Sequence, residues 1–125
     1  MTYTMSMTDL NKRLPLTPAV FYILLSLVKG ERHGYDIMKQ VKSDTNGKVK
    51  MGNGTLYGSI KRMLASRLIE DAGDKIDPDN ERRKYYKLTD LGRKLLNAEM
   101  QRYVETASLI KQRKLVPALS ITLSL

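Results

Sequence analysis

Residues 52–68 read GNGTLYGSIKRMLASRL, and this stretch carries the clearest signal of the fold. Leu56, Ile60 and Met63 recur at the three- and four-residue spacing of one helix face, and Leu64 falls on the same side. The glycine and asparagine residues at the start can open a helix. We therefore expect one amphipathic helix through residue 68 that buries these four apolar side chains.

The opposite face of this helix carries short polar and basic side chains. If the apolar face is buried, Thr55, Ser59 and Arg62 point outward, and Tyr57 and Lys61 lie on the flanks. Hydroxyl groups approach phosphates closely, helix N-terminal amides favour an anion, and arginine binds guanine edges or phosphates. The face suits the major groove of DNA, although a solvated polar face would look the same.

Gly58 lies in the middle of the predicted helix, where glycine costs about 0.5–1 kcal/mol relative to alanine. The close approach of another backbone would explain its presence. That backbone is either a DNA phosphate strand or a second helix of the same domain, and the sequence leaves both alternatives open.

Two further helices are predicted upstream. The first begins at Pro18, where Thr17 can cap it, and it ends before Gly30. The second covers residues 34–44 and is followed by a glycine-bearing turn. This second helix and the amphipathic helix within residues 52–68 are joined by a short connection, which is typical of a helix-turn-helix motif. The inward-facing residues are expected to be Val20, Ile23, Leu24 and Leu27 in the first helix and Tyr35, Met38 and Val41 in the second.

A long-looped hairpin is predicted downstream, with strands over residues 68–72 and 84–88 and turn-forming residues between them. Such a hairpin beside a helix-turn-helix motif is a wing. Lys75, Arg82 and Arg83 give the wing basic side chains that can reach a minor groove or a phosphate. Four carboxylates in the same loop would repel phosphate unless they pair with the arginines.

The last helix is predicted from Thr89 or Asp90 to about Lys114. Some of its apolar residues follow one another by four, three, four and three positions, which is the spacing of a coiled-coil seam. A second copy of the chain is the expected partner of this seam. The alternative is that the helix folds back onto the first helix of its own chain. The seam consists of Leu96, Met100, Tyr103, Ala107 and Ile110.

The composition limits the possible functions. The chain has 125 residues, 22 basic and 13 acidic side chains, a net charge of +9 and no cysteine. This length fits one domain, and the charge favours an anionic partner such as nucleic acid. Without cysteine there is no disulfide framework, no thiol catalysis and no common structural zinc site. We expect a cytoplasmic, nucleoid-associated protein with no membrane span, metal or cofactor.

His33 is the single histidine of the chain. It has no second imidazole or cysteine to complete a zinc site, and no activated nucleophile is recognisable near it. A histidine at a helix terminus is the simpler interpretation. We therefore do not expect an enzyme.

Five ordered segments form a recognisable pattern: Leu16-Thr17-Pro18, His33-Gly34-Tyr35-Asp36-Ile37, Gly54-Thr55-Leu56-Tyr57, Leu68-Ile69 and Arg83-Lys84-Tyr85-Tyr86-Lys87-Leu88-Thr89-Asp90-Leu91-Gly92. Together they resemble PadR-type transcriptional regulators. The resemblance covers about residues 16–104 and implies a winged helix-turn-helix domain, a dimerising C-terminal helix and repression relieved by small molecules. It places the third helix in the DNA groove and Arg82 and Arg83 in the wing.

The chain departs from the family pattern at a few positions. Gly58-Ser59 stands where the family often has Pro-Ala, and Arg67 stands where it usually has glycine. The single short C-terminal helix resembles the smaller subgroup, some of whose members bind flat drugs between tryptophans. This chain has no tryptophan. A different pocket would have to use Phe21, Tyr22 and Tyr103.

These observations predict a mainly α fold with a small β-hairpin wing. We expect an N-terminal arm (1–15), a winged helix-turn-helix domain (16–90), a dimerisation helix (91–116) and a tail (117–125). The expected function is a homodimeric repressor that binds a near-palindromic DNA operator. The alternative is a protein-interaction module for an acidic partner. The predicted DNA-contacting residues are Asn53, Thr55, Tyr57, Ser59, Lys61, Arg62, Lys75, Arg82 and Arg83.

Overall fold

The computed structural model describes residues 6–114, which form five helices and one three-stranded antiparallel sheet. The predicted mainly helical fold with a β-hairpin is confirmed. The predictions for the tail after residue 114 and for the first five residues lie outside this part of the chain. In chain order the elements are α1 (Met7–Lys12), α2 (Pro18–Ser26), β1 (Arg32–His33), α3 (Gly34–Asp44), α4 (Asn53–Ala65), β2 (Ile69–Ile76), β3 (Arg82–Leu88) and α5 (Asp90–Arg113).

Threonine caps fix the starts of two helices where the sequence predicts them. The Thr17 hydroxyl accepts the Val20 N–H at 3.3 Å, and Pro18 occupies the first turn of α2. The Thr89 hydroxyl accepts the Gly92 N–H at 2.9 Å at the start of α5. A side-chain acceptor satisfies one of the amides that a helix start leaves without an intrahelical partner. The predicted extent of α3 is confirmed as well.

Helix α4 ends three residues earlier than predicted. Arg67 adopts a left-handed backbone with φ +61°. The Leu68 N–H returns to the Met63 carbonyl at 2.9 Å, and the Arg67 N–H returns to the Leu64 carbonyl at 3.1 Å. These two bonds form a Schellman motif, whose left-handed position is usually taken by glycine. The glycine that the resemblance implies at this position would adopt the same backbone without strain.

The sheet has the order β1-β3-β2. Strand β1, one of its two edge strands, was not predicted. The hairpin strands are also longer than predicted, so the loop shrinks to residues 77–81. The register shifts between Asp71 and Gly73, where Gly73 has φ +92°. This bulge explains the difference, because glycine and aspartate indicate a turn in the sequence although the pairing continues past them.

The core lies between α2, α3, α4, the sheet and the first half of α5. Ile23, Leu24 and Leu27 are buried as predicted, and so are the apolar residues Leu56, Ile60 and Met63 of α4. The prediction for α3 was partly wrong. Val41 is buried, but Tyr35 is 48% exposed and Ile37 takes the inward position.

The segment predicted to be an N-terminal arm contains helix α1, which packs on α5. Ser6 caps α1 in a capping box with Asp9, and Leu10 is buried in the core. Glu99 of α5 is fully buried, accepts the Leu16 N–H at 2.5 Å and pairs with Arg102. The N-terminal segment, residues 6–16, is therefore bound to α5 by a buried leucine and a buried carboxylate.

The first turn of α5 lies directly on the junction of α4 and β2. The Thr89 hydroxyl donates to the carbonyls of Arg67 at 2.6 Å and Leu68 at 3.0 Å. A Cβ on Gly92 would lie 1.9 Å from the Leu68 carbonyl oxygen, so only glycine fits there. This contact fixes the direction in which α5 leaves the domain. Within residues 6–114 no helix is long and apolar enough to cross a bilayer.

Candidate nucleic-acid interface

Helices α3 and α4 form the predicted helix-turn-helix, and Thr45 holds the turn between them. Its hydroxyl donates to the Val41 carbonyl at 2.9 Å and accepts the Val49 N–H at 3.0 Å. Asn46 and Gly47 follow with φ +52° and +78°, which lets the chain reverse. Buried Thr45 thus fixes the start of the connection that leads from α3 to α4.

The exposed face of α4 presents most of the residues predicted for DNA contact. Asn53, Thr55, Lys61 and Arg62 are exposed, and the helix contains no acidic residue. Its N-cap, Gly52, offers no side-chain acceptor to the first amides. An uncapped helix start beside small polar side chains leaves N–H donors for an anion.

Ser59 was predicted on this exposed face, and that prediction is wrong. Its side chain is 1% exposed and accepts a hydrogen bond from Arg62 Nη2 at 3.3 Å. Ser59 lies three residues after Leu56, on the same helix face, so its spacing could have placed it in the core. The remaining role of Ser59 is to orient the guanidinium of Arg62.

Tyr57 lies on the flank of α4 that contacts the start of α3. A Cβ on Gly34 would lie 2.7 Å from the Tyr57 hydroxyl, so the tyrosine covers the glycine backbone directly. The Tyr57 side chain is nevertheless 48% exposed. It therefore connects the two helices and still presents part of its ring to solvent.

The three predicted basic residues of the wing lie together. Lys75 of β2 is opposite Arg83 of β3 in the strand register, and Arg82 precedes Arg83. Each of them contacts a carboxylate. Lys75 pairs with Glu31, and Arg83 Nε lies 3.2 Å from Asp77. Arg82 Nε lies 3.8 Å from Asp74 and keeps its side chain 75% exposed. The expected pairing of loop carboxylates with arginines is therefore present.

Asp77 fixes the shape of the wing loop. Its carboxylate accepts the N–H groups of Glu81 at 2.8 Å and Asp79 at 3.0 Å. The Glu81 N–H contributes most to lowering the pKa of Asp77 below its ordinary value of 3.8; desolvation opposes this, and Arg83 adds to the lowering. The loop is thus held by an ionised carboxylate.

His33 is a helix-terminal residue, as the simpler interpretation has it. Its Nδ1 accepts the Asp36 N–H at 3.2 Å and so caps α3. Its Nε2 faces the Asp77 carboxylate at 3.8 Å. His33 therefore connects the start of α3 to the wing loop.

Tyr35 is a residue of this surface that the sequence reasoning assigned to the core. The Arg83 guanidinium lies 5.8 Å from the centroid of its ring, and the Lys39 ammonium lies 5.5 Å from it. Contacts of this kind attract a cation to an aromatic face. The signal was available in the sequence, because Ile37 and Val41 stand four residues apart on one helix face, whereas Tyr35 lies about 200° round the helix from Ile37.

The seam predicted on α5 is divided between two environments. Leu96 is 1% exposed and lies in the core of its own chain. The prediction that it contacts a partner is therefore wrong. Tyr103 packs edge-on against Phe21 of α2, with centroids 5.0 Å apart, yet is 47% exposed. The cause is that α1 and α2 both cover the first half of α5. Met100, also predicted for the seam, is partly buried against the core of its own chain. Beyond this region Val104 and Leu109 are exposed, and Ala107 and Ile110 are partly buried.

Comparison with known proteins gives the same fold repeatedly. A PadR family transcription regulator from Clostridium difficile is 29% identical, with a TM-score of 0.66 over 77% of this chain and 97% of that one. A transcriptional regulator from Clostridium thermocellum is 25% identical, with a TM-score of 0.60 over 74% and 89%. Bacillus subtilis PadR, solved in complex with operator DNA, is 24% identical, with a TM-score of 0.58 over 74% and 58%.

The sequence itself matches a family description as well. A profile of the "Transcriptional regulator PadR-like family" aligns with residues 23–98, which run from α2 into α5 and include the whole helix-turn-helix and wing. The match covers more than half of the chain. The resemblance inferred from the sequence motifs is thereby confirmed, and the chain belongs to the PadR-like family of transcriptional regulators.

Proposed function

We propose that this chain binds duplex DNA as a homodimer and represses transcription from a near-palindromic operator. One observation carries the proposal. The exposed face of α4 offers Asn53, Thr55, Lys61 and Arg62 to solvent without a single carboxylate. Family membership supports the same partner, since Bacillus subtilis PadR was solved with operator DNA.

In this proposal α4 lies in the major groove. The groove is about 12 Å wide and admits one helix. Thr55 and Asn53, at the uncapped start, reach base edges or phosphates, and Arg62 binds a guanine edge or a phosphate. Ser59 contributes only by holding Arg62, because its own side chain is buried.

The wing contacts the DNA backbone beside that groove. Arg82 supplies the main contact, because its side chain is 75% exposed and its nearest carboxylate is 3.8 Å away. Lys75 and Arg83 contribute less, since Glu31 and Asp77 hold them within the chain. This division makes Arg82 the wing residue whose removal weakens DNA binding most.

A homodimer supplies the second α4 for the other half-site. The part of α5 after Met100 exposes Val104 and Leu109 to solvent, beside the partly buried Ala107 and Ile110. Apolar side chains on a projecting helix favour a partner, and a second copy is the simplest source. Two recognition helices about 34 Å apart then enter successive major grooves.

Relief of repression by a small molecule is part of the same proposal. The rings of Phe21, Tyr22 and Tyr103 cluster where α2 meets α5, with Phe21 centroids 5.1 Å and 5.0 Å from its two neighbours. This cluster connects the DNA-binding domain to the helix that pairs the protomers. A flat apolar ligand that separates these rings changes the angle between the two recognition helices, and repression is lost.

The test begins with purified protein and fragmented genomic DNA, from which bound sequences are recovered and ranked. Affinity for the best sequence is then measured over a range of salt concentrations, where it should fall steeply as counterions are released. Arg62→Ala should cost about 1–3 kcal/mol of binding free energy. Arg113→Ala, an equal loss of charge at the far end of α5, is the matched control.

Two results would contradict the proposal. One is binding that does not respond to salt or to the loss of Arg62. The other concerns the alternative of an acidic protein partner. If a purified acidic partner stays bound in the presence of excess duplex DNA, the basic face serves protein recognition instead.

A further inference from the structure

A groove of about 250 Å³ lies between the N-terminal segment and the last turns of α4. Its surface is mostly apolar, with Leu95 of α5 among the lining residues. Two arginines from different elements line it: Arg13, at the end of α1, and Arg62 of α4. The other apolar lining residues are Pro15, Leu16, Val20, Met63 and Leu68.

Charge distinguishes this groove from the wing. Within residues 6–114, neither Arg13 nor Arg62 forms an ion pair with a carboxylate, and the Arg62 guanidinium bonds only to the Ser59 hydroxyl. The predicted basic residues of the wing, in contrast, each have an acidic partner. Two uncompensated guanidinium groups beside one groove attract an anion.

The groove lies on the flank of α4 away from the wing. Tyr57 lines a cleft with Arg83 and Lys84 of the wing, and Arg62 follows five residues later, about 140° round the helix, where it lines the groove. A helix that enters a major groove has a DNA strand along each flank. The wing lies near one strand, and the groove with Arg13 is open to the other.

We propose that the DNA backbone lies across this groove, with a phosphate bound between Arg13 and Arg62 and the adjoining deoxyribose against Pro15 and Val20. Arginine binds phosphate through two parallel N–H donors, and the sugar carbons match an apolar floor. This inference rests on the proposed function and adds a partner surface to it. The N-terminal segment becomes part of the DNA interface.

The segment is already fixed before DNA arrives. Leu10 is buried in the core, and the Leu16 N–H donates to the buried Glu99 carboxylate. Arg13 lies between these two anchors. Because ordering a free arm would weaken binding, a segment that is held in place makes the contact at lower entropic cost.

The experiment compares the full-length wild type with Arg13→Ala on the best-bound duplex and on a random duplex of equal length. Affinity of Arg13→Ala should fall about tenfold on both duplexes, because phosphate contacts do not depend on sequence. The slope of log affinity against log salt should decrease by about 0.9 for each lost phosphate contact. Arg13→Lys should keep the slope and recover part of the affinity.

Arg113→Ala is again the control for loss of charge alone, and thermal unfolding of every variant shows that the fold is retained. Wild-type affinity and slope in Arg13→Ala would overturn the inference and leave the proposed function intact. Failure of the wild type to bind any duplex would overturn both. If native mass spectrometry finds a small organic anion on the wild type but not on Arg13→Ala, and DNA binding is equal, the groove holds a metabolite and not DNA.

Discussion

At Gly58 we expect one substitution to have opposite effects on the stability of the protein and on its affinity for DNA. A Cβ at this position would meet only the end of the Arg62 side chain, at 3.5 Å, so no neighbouring helix within residues 6–114 requires the glycine. That excludes one of the two explanations left open by the sequence. On the proposed function, the close approach of a DNA strand is the explanation to test.

Gly58→Ala should therefore raise the free energy of unfolding by about 0.5–1 kcal/mol, as expected for a helix interior. The same variant should bind its DNA sequence more weakly, because the methyl group occupies the space of a phosphate strand. Urea unfolding and DNA titration measure the two effects. Undiminished DNA affinity would show that no backbone approaches Gly58.

Arg67 offers a second prediction at the same scale. Its left-handed backbone, φ +61°, is unfavourable for a residue with a side chain. Arg67→Gly should stabilise the protein by about 0.5–1 kcal/mol, since the relief of strain exceeds the greater entropy of unfolded glycine. Ser66→Gly, one residue earlier at φ −86°, is the control and should destabilise it. Equal stability changes in both would contradict the strain argument.

Individual side chains are where sequence reasoning was least accurate. Ser59 was placed outward because it is polar, although it shares a face with Leu56. Leu96 was placed in the dimer seam, whereas α1 and α2 both pack on α5, so the alternative that this helix folds back onto the first predicted helix holds for the part that contains Leu96. Hydroxyl polarity explains the error at Ser59, and the packing of α2 and of the unpredicted helix α1 explains the error at Leu96.

At the scale of elements, capping and periodicity predicted most helix boundaries. Thr17 was the predicted cap of α2, and Thr89 was one of two candidate caps of α5 beside Asp90; the structure shows both threonines as caps. Strands were harder. β1 has only two residues, too few for any alternation, and its pairing with Tyr85 and Tyr86 is a tertiary event.

The wing loop should respond to acid. The pKa of Asp77 is lowered mainly by the Glu81 N–H, so its ionised form stabilises the folded state. That contribution is complete above the ordinary pKa of 3.8 and is lost as the pH falls through the lower, folded-state pKa. The wing therefore loosens in acid and is fully held near neutral pH.

Asp77→Asn removes this titration. The variant should lose less stability than the wild type between about pH 5 and about pH 2.5, measured as urea midpoints at each pH. Asp79→Asn, in the same loop but exposed, serves as control and should follow the wild type. Parallel curves for Asp77→Asn and the wild type would mean that the carboxylate does not anchor the loop.

At the scale of the whole molecule, the two halves of α5 lie in different environments. Its first half is part of the domain core, through Leu95, Leu96 and Glu99. The second half projects with Val104 and Leu109 exposed. In the proposed homodimer, the apolar residues left for a partner therefore lie in the second half of α5, and we expect a short interface there.

Ile110→Glu tests this arrangement. A carboxylate in a short apolar interface should shift the protein to a monomer, because an unpaired charge there would lose its water. Asn97→Asp introduces a carboxylate at an exposed position in the first half of α5 and should leave the dimer intact. Sedimentation measures the assembly, and DNA titration should show the Ile110→Glu monomer binding a full operator far more weakly than the wild type. A variant that remains dimeric would place the subunit contact elsewhere, and the spacing of the two α4 helices would then need a different origin.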